Sequence, residues 1–293
     1  MHRNHHALPI MVTVSGVALF SIMDALMKRA SIAGGVYGAL LVRSLLGFAF
    51  MAGVWRLRGW RTPPRAVLRI HALRGTVSAG MASTFFYGLV RTPMAVGIAL
   101  SFMAPLIALY MAAVLLGEQV RKAAIWASLL ALAGVIVIAT ERIDGAQMQG
   151  EAAQGIIAIL ISAALYAWNL VLQRQQAQLA SPVEVAVFQN LWMALALLPL
   201  FPWLWSVPHG AEWADIALAA ALATAALTML AWSYARAEAQ VLVPIEYTAF
   251  IWAALMGWLW FGEKVTPGTI AGVVLIVIGC WIGTRSPKPA HQG

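Results

Sequence analysis

The sequence predicts an all-α integral membrane protein whose ten transmembrane helices form two inverted repeats of five helices around a central cavity. Composition is the first of three observations behind this prediction. Hydrophobic residues make up 62% of the 293 residues and charged residues only 10%. Soluble domains carry roughly 45–50% apolar and about 25% charged residues. A chain so poor in charge cannot cover a water-facing surface, which excludes a soluble enzyme, a disordered protein and a nucleic-acid-binding module.

The second observation is a regular series of apolar segments. A bilayer core about 30 Å thick requires roughly 20 apolar residues per helix. The predicted spans are Pro9–Met27, Gly35–Trp55, Ala72–Val90, Pro93–Leu116, Ala123–Ala139, Ala152–Leu172, Val183–Trp205, Asp215–Ala235, Val241–Phe261 and Thr269–Gly283. The segments between them are too short for a soluble domain. There is no nucleotide-binding G-x-x-x-x-G-K-[ST] motif and no catalytic or metal-binding spacing, so we expect no cofactor, no metal and no enzymatic activity.

The basic residues predict the orientation. Lys and Arg are more than twice as frequent in the loops on the side of both termini as in the loops on the opposite side. The segment after the second span contributes the largest share, namely Arg56, Arg58, Arg61, Arg65, Arg69 and Arg74. Cytoplasmic loops are enriched in Lys and Arg, so both termini are predicted to be cytoplasmic.

The third observation is an internal repeat with a constant offset of 145 residues. Gly117-Glu118-Gln119-Val120 falls on Gly262-Glu263-Lys264-Val265, and Arg91 falls on Arg236. We call two residues separated by this offset repeat equivalents. They predict two halves, residues 1–145 and 146–293, each with five spans. Because five is odd, the second half enters from the opposite side, an arrangement that in transporters places the substrate near the midplane.

The two sets of five spans, each with a Gly-Glu-x-Val turn before a Gly-containing last helix, resemble the drug/metabolite transporter superfamily with two EamA-type repeats. The similarity covers nearly the whole chain and extends to the YddG-type bacterial exporters of aromatic and other neutral amino acids. The resemblance implies a secondary transporter of the inner membrane that exports solutes to the periplasm by alternating access. It also implies a cavity lined by the first four helices of each half, with the fifth and tenth at the periphery.

Few ionisable residues lie within the spans, and each is a candidate for function. Asp24 in the first span and Arg43 in the second would lie in the same half of the bilayer, where they could neutralise each other. Lys28, four residues after Asp24, could compete as its partner. An Asp24–Arg43 pair would serve either transport or a structural contact between two helices.

Glu246 in the ninth span is the second ionisable candidate. Pro244 precedes it and disturbs the helix start, and Pro105 lies close to its repeat equivalent Ser101. Proline can free backbone carbonyls to face a cavity. Glu246 could carry a proton, bind a substrate amine or be a carboxylate hydrated by a vestibule.

Polar and aromatic side chains recur at helical spacing within the spans and predict a cavity wall. These residues are Ser21, Ser83, Tyr87, Ser101, Tyr166, Trp168, Asn169, Thr228, Trp232 and Tyr247. Such a wall suits a small neutral amphipathic solute such as a zwitterion with an apolar side chain. The aromatic rings and Glu246 would also suit a drug or a quaternary ammonium ion. For any one of these residues, a hydrogen bond between helices is an alternative role.

Two further features have structural interpretations. Glu118 and Glu263 are predicted to belong to helix-ending turns. Gly268, Gly272, Gly279 and Gly283 form a small-residue stripe on the last span, which would pack within the molecule or against a second copy, so a monomer and a homodimer both stay possible. His71 is expected to lack a carboxylate partner.

Overall fold

The computed structural model describes residues 7–59, 62–116, 122–143, 149–177, 179–237, 242 and 245–284, which are helical with no strand among them. The helices are α1 (Ala7–Gly34), α2 (Val36–Leu57), α3 (Arg65–Arg91), α4 (Met94–Ser101), α5 (Ala104–Leu116), α6 (Lys122–Ile143), α7 (Gln149–Ala177), α8 (Pro182–Leu197), α9 (Phe201–Leu204), α10 (Ala211–Tyr234), α11 (Ala249–Phe261) and α12 (Pro267–Thr284). A 3₁₀ turn, Leu198–Leu200, joins α8 to α9.

These helices confirm the ten predicted spans of an all-α membrane protein. The fourth span is divided into α4 and α5, the seventh consists of α8, the 3₁₀ turn and α9, and the ninth ends in α11. Five segments, in α1, α2, α7, α8–α9 and α10, are long and apolar enough to cross a bilayer by themselves. Most of the helices, among them α1, α3 and α7, are longer than the predicted spans because their polar ends continue beyond the apolar core.

One boundary changes the interpretation of the basic residues. α3 begins at Arg65, seven residues before the predicted start of the third span at Ala72. Arg74 was counted among the loop arginines, and this assignment was wrong because Arg74 lies inside α3 and only 8% of it is exposed.

The packing has the two-fold symmetry that the repeat predicts. α1 packs along α10, and its repeat equivalent, α7, packs along α3. The second span contacts the seventh, the fourth contacts the ninth and the fifth contacts the tenth. The two members of each pair are repeat equivalents, so the two-fold symmetry exchanges them and leaves the contact unchanged. The two halves therefore interlock instead of lying side by side.

The bundle has two ends, which we name by a residue at each. The Lys28 end contains the end of α1, the start of α10 and Glu263, because Lys28 bonds to Glu263 and Arg29 bonds to Asp215. The His71 end contains the start of α3 and the start of α8, because His71 bonds to Glu184. α1 ends at the Lys28 end and α12 begins there. The opposite ends of these two helices, which hold the first and last described residues, therefore lie at the His71 end.

The fourth and ninth spans are interrupted at equivalent positions. The Met103 amide donates to the Leu100 carbonyl at 3.1 Å, and its repeat equivalent, the Thr248 amide, donates to the Ile245 carbonyl at 3.0 Å. These tight i to i−3 bonds replace the ordinary helical bond at both breaks. The disturbance predicted near Pro105 is therefore present in the fourth span, and the ninth span carries the same break.

The symmetry axis passes between two aromatic rings at these breaks. Phe102 and Tyr247 are repeat equivalents, and their rings meet edge to face with centroids 5.0 Å apart. Transporters with inverted repeats bind their substrates where discontinuous helices meet at the repeat interface. The two breaks therefore direct attention to this part of the bundle.

The small-residue stripe of the last helix packs within the molecule. A Cβ atom at Gly134 of α6 would lie 2.5 Å from the carbonyl oxygen of Gly272 in α12, so only glycine allows this crossing. One turn away the Glu141 carboxylate accepts bonds from the Thr266 hydroxyl at 2.6 Å and the Gly268 amide at 3.2 Å. Two glycines of the stripe, Gly268 and Gly272, thus pack within the molecule.

Candidate functional site

The Lys28 end is closed by a buried ion pair. Lys28 is 3% exposed and its Nζ donates to Glu263 Oε1 at 2.5 Å and to the Thr92 carbonyl at 2.8 Å. The other oxygen of Glu263 accepts the Met94 amide at 2.7 Å, at the start of α4. One carboxylate thus joins the first, fourth and ninth spans. Lys28 pairs with Glu263 and not with Asp24, the competing partner considered from the sequence.

The turn around Glu263 has the predicted form. Gly262 adopts the left-handed conformation that ends α11, with φ at 64°. The Glu263 amide then bonds to the Gly257 carbonyl at 3.0 Å. The equivalent Glu118 lies outside the described residues. Glu263 therefore ends a helix as predicted, and its carboxylate also holds the neighbouring helices together.

Apolar packing and a second ion pair complete the closure. Arg29 Nε donates to Asp215 Oδ2 at 2.7 Å, and its Nη2 bonds to the other carboxylate oxygen. Apolar side chains from four helices are fully or almost fully buried around the two ion pairs, namely Leu26, Met27, Leu40, Leu89 and Met94. Little space is left at this end for water or a solute.

The His71 end is more open at the equivalent positions. Leu89 at the Lys28 end is 0% exposed, whereas its repeat equivalent Tyr234 is 37% exposed. Lys28 is buried, whereas its repeat equivalent Gln173 is exposed. At these two positions the side chains of the His71 end are therefore less tightly covered than their equivalents at the Lys28 end.

Glu246 interacts with three tyrosines, of which Tyr234 contacts it directly, and we name these four residues the Glu246 site. The Tyr234 hydroxyl, from the last residue of α10, donates to Glu246 Oε1 at 2.5 Å. Tyr247 follows Glu246 at the break, and Tyr166 of α7 is 39% exposed with its hydroxyl in electrostatic reach of Glu246. Among the described residues no Lys, Arg or His comes within 4.0 Å of the Glu246 carboxylate.

A buried polar cluster, which we name the Arg74 network, lies beside the Glu246 site. Arg74 Nε donates to Asn169 Oδ1 at 3.2 Å, and Arg74 Nη1 donates to Gln176 Oε1. Both amides are held in turn, because Asn169 Nδ2 donates to the Ser78 hydroxyl and Gln176 Nε2 bonds to His71. The network also includes Gln189, which donates to Ser78 at 2.5 Å, and Glu184, which bonds to His71 Nε2 at 3.2 Å.

The structure departs from the expectations for two residues of this network, His71 and Asn169. His71 was expected to lack a carboxylate partner, and its contact with Glu184 shows that this was wrong. Asn169 was predicted to line a cavity, and the structure buries it within the Arg74 network, 4% exposed. Its side chain orients Arg74, one turn along α7 from Tyr166.

Asp24 and Arg43 attract each other without touching. Their side chains make no hydrogen bond or ion pair with one another within the described part of the chain, although their charges interact. Arg43 Nη1 instead lies 3.5 Å from Met23 Sδ, and its guanidinium lies 6.0 Å from the ring centre of Phe86. A common depth in the bilayer does not fix which way a side chain points around its helix.

The remaining candidates are distributed over the molecule. Ser21 is buried, and the Ser101 and Thr228 hydroxyls bond to the carbonyls four residues earlier in their own helices. Ser83 and Trp168 are half-buried. The structure therefore brings Tyr166, Glu246 and Tyr247 together and leaves these five outside the group.

Tyr87 and Trp232 repeat one local contact at opposite ends of the molecule. The Arg91 guanidinium lies 3.6 Å from the ring centre of Tyr87, and the equivalent Arg236 lies 4.2 Å from the ring centre of Trp232. Each arginine also donates to the carbonyl of its aromatic partner. This repeated contact confirms the offset of 145 residues at the level of side chains, but it does not place the two rings in one site.

Two parts of the site were missed in the sequence. Arg74 was assigned to a loop, although His71, Arg74 and Ser78 have the i, i+3, i+7 spacing of one helix face. Tyr234 does not lie on the helix face that carries the predicted residues Thr228 and Trp232. Only the fold brings it to Glu246. A continuous helical pattern starting at Arg65 was the signal that could have found the network.

Comparisons with known proteins agree with this architecture. The model of the EamA-like transporter family matches residues 7–140 and 153–284. The pseudopaline exporter CntI of Pseudomonas aeruginosa is 25% identical over 283 residues, which is 95% of this chain and 96% of that protein. A probable terminal-alkyne amino-acid exporter of Streptantibioticus cattleyicolor is 27% identical over 86% of this chain and 84% of its own length.

Two further matches concern function and fold. An S-adenosylmethionine uptake transporter of Rickettsia felis is 20% identical over 71% of this chain and 69% of that protein. A solved crystal structure superposes with a TM-score of 0.60 at 22% identity, covering 94% of this chain and 96% of that one, which shows the same fold. The relatives include exporters and an importer, so they do not by themselves fix a direction.

Proposed function

Because the chain belongs to the EamA-like transporter family and is an integral membrane protein with a small-molecule substrate, we propose that it exports neutral and aromatic amino acids and related small metabolites. It works as a secondary transporter of the bacterial inner membrane and has no enzymatic activity. The amino-acid exporter among its relatives supports this substrate class.

The observation that carries the proposal is the Glu246 site beside an open end. Glu246 bonds to Tyr234, a partly exposed residue of the His71 end, while the Lys28–Glu263 pair lies at the opposite end. An amphipathic solute finds a carboxylate, hydroxyls and aromatic faces there. If the His71 end faces the cytoplasm, as the arginines predict, the conformation is the one in which an exporter takes up its solute.

Orientation and organisation belong to the same proposal. Residues 1–145 and 146–293 form the two repeats, both termini are cytoplasmic, and the repeats rock against each other to exchange the open and closed ends. Thr62→Cys is expected to react with impermeant maleimide from the cytoplasm and Val207→Cys from the periplasm. The single natural cysteine, Cys280, is buried and gives little background.

The decisive experiment is solute flux in liposomes that contain the purified protein. Liposomes loaded with a panel of amino acids should release tryptophan, phenylalanine or another neutral amino acid faster than protein-free liposomes. Repeating the measurement with and without a pH gradient separates facilitated from coupled transport. Flux of no neutral amino acid in either condition would disprove the proposed substrate class.

A second candidate function has its own supporting observation. Glu246 has no described cationic partner and interacts with three tyrosines, and aromatic faces with a carboxylate attract ammonium ions. An exporter of drugs or quaternary ammonium ions would use the same site. Flux of tetraalkylammonium ions without flux of amino acids would favour this candidate.

A further inference from the structure

Arg74 is a buried cation without a carboxylate partner. It is 8% exposed, and within the described part of the chain no Asp or Glu lies within 4.0 Å of its guanidinium. Its contacts are the neutral amides of Asn169 and Gln176. An unpaired charge within a membrane protein is costly and is a functional candidate by default.

The network positions Arg74 without using all of its donors. A guanidinium has five N–H groups in a rigid fork that matches a carboxylate. Nε and Nη1 are held by Asn169 and Gln176, whereas Nη2 has no hydrogen-bond acceptor among the described residues. The side chain is thus fixed on one edge and retains donors for an anion.

The equivalent interface in the other half of the molecule packs without this cluster. The residues equivalent to His71, Arg74 and Ser78 are Ile216, Ala219 and Ala223. The equivalent helices α10 and α1 pack as closely as α3 and α7 without any such network. A cluster present in only one of two equivalent interfaces points to a role other than helix packing.

Tyr166 connects Arg74 with the Glu246 site. The Tyr166 hydroxyl is in electrostatic reach of both Arg74 and Glu246, and the side chain is partly exposed. Asn169, which holds Arg74, follows Tyr166 by one helical turn on the same face of α7. A cation and an anion, each without a described charged partner, therefore both interact with the hydroxyl of Tyr166.

We propose that Arg74 binds the carboxylate of the transported solute while Glu246 binds its amine, so that the solute lies as a zwitterion against Tyr166. This inference rests on the proposed amino-acid transport and names the two groups that recognise the substrate. Each pole of the zwitterion supplies the counter-charge that its residue lacks. A drug or quaternary ammonium ion would use Glu246 but have no use for Arg74.

The test compares three ligands that share an indole ring, using calorimetry on the purified protein. Tryptophan has both charged groups, tryptamine lacks the carboxylate and indole-3-propionate lacks the amine. Wild-type protein should bind tryptophan at least about tenfold more tightly than either analogue, because a hydrogen-bonded charge contributes about 1.5–3 kcal/mol. Equal affinity for tryptophan and tryptamine would overturn the proposal without any variant.

Variants then assign each pole to a residue. Arg74→Gln should lose at least about tenfold in tryptophan affinity and change less than about twofold for tryptamine, since only the carboxylate contact is removed. Glu246→Gln should weaken tryptophan and tryptamine but leave indole-3-propionate unchanged. Arg69→Gln on the exposed side of α3 is the matched control and should change none of the three affinities.

Folding and function are separated by further comparisons. Gel filtration and thermal melting check each variant, and Arg74→Lys, which keeps the charge but not the fork, should give an intermediate loss if Arg74→Gln is unstable. If tryptophan is transported but Arg74→Gln weakens all three ligands equally or none of them, the Arg74 assignment fails and the proposed function stands. If the wild-type protein neither binds nor transports any neutral amino acid, the proposed function itself fails.

Discussion

The junction of α3, α7 and α8 at the His71 end and the junction of α10, α1 and α2 at the Lys28 end are built from the same backbone in two copies. The first contains the Arg74 network, with an imidazole, a guanidinium and a hydroxyl on one face of α3. The second has Ile216, Ala219 and Ala223 on the equivalent face of α10. The repeat thus determines helix packing, while the side chains that break the symmetry differentiate the two ends.

The two junctions also differ in the kind of side chain that they bury. The Lys28 end buries apolar side chains, and each square ångström of apolar area removed from water contributes about 25 cal/mol. The junction at the His71 end contains polar groups that hydrogen-bond to one another and tolerate nearby water. Closing the His71 end and opening the Lys28 end requires the ion pair of Lys28 and Glu263 to separate.

The largest effect is expected where that pair is broken. Lys28→Met leaves the Glu263 carboxylate buried without a counter-charge, and removing one partner of a buried pair costs about 3–5 kcal/mol. The closed Lys28 end should therefore open, and maleimide labelling of a Leu89→Cys background should accelerate at least about tenfold.

The double variant tests the cause. Lys28→Met with Glu263→Gln leaves no buried charge and should return labelling part of the way to the original rate. Unchanged labelling in the single variant would mean that apolar packing alone closes this end.

The next effect concerns the polar junction. Ser78→Ala gives α3 the alanine that α10 has at Ala223, and it removes the acceptor shared by Asn169 and Gln189. Leaving buried amides unsatisfied costs about 1–3 kcal/mol, which should appear as a lower melting temperature in detergent.

The matched control is Ala223→Ser. The added hydroxyl can bond to a carbonyl of its own helix, so its effect should be small. An equal loss of stability in both variants would show that the two junctions are equally sensitive to a change in polarity.

The third prediction tests the accessible site at the break. Glu246→Gln keeps the shape and the bond from Tyr234 but removes the negative charge. Solute flux should fall at least about tenfold with normal protein level, because a charge-assisted contact is roughly twice as strong as a neutral one. Glu151→Gln in the exposed first turn of α7 is the control and should leave flux unchanged. Normal flux in Glu246→Gln would remove Glu246 from the mechanism.

The smallest effect is expected at the second ion pair of the Lys28 end. Arg29 is 53% exposed while its partner Asp215 is 9% exposed, so solvent screens the attraction. Arg29→Gln should cost less than about 1 kcal/mol of stability. A melting-temperature loss as large as that of Lys28→Met would contradict the ranking of the two pairs by burial.

The sequence predicted the fold far better than the site, for physical reasons. Bilayer thickness fixes span length, and a repeat with constant offset fixes the pairing of helices, so ten spans in two halves followed from one chain. Pro105 indicated a helix break close to its actual place. The Lys28–Glu263 contact joins residues 235 positions apart and has no local signal.

Side-chain direction was the second obstacle. Asp24 and Arg43 were expected at one depth, but rotation around each helix decides whether charges touch. Arg74 was assigned to a loop because the apolar segment starts later than the helix itself. Tyr234 contacts Glu246 only through the fold, whereas Tyr166, Glu246 and Tyr247 were named as candidates because polar groups within spans avoid lipid.

The glycine contact between α6 and α12 constrains how the molecule moves. Backbones that touch at Gly134 and Gly272 cannot slide along each other without a collision between main-chain atoms. They can still tilt about the point of contact. We therefore expect the fifth and tenth helices to tilt about this contact as a pivot. Such a tilt would widen one end of the bundle as it narrows the other.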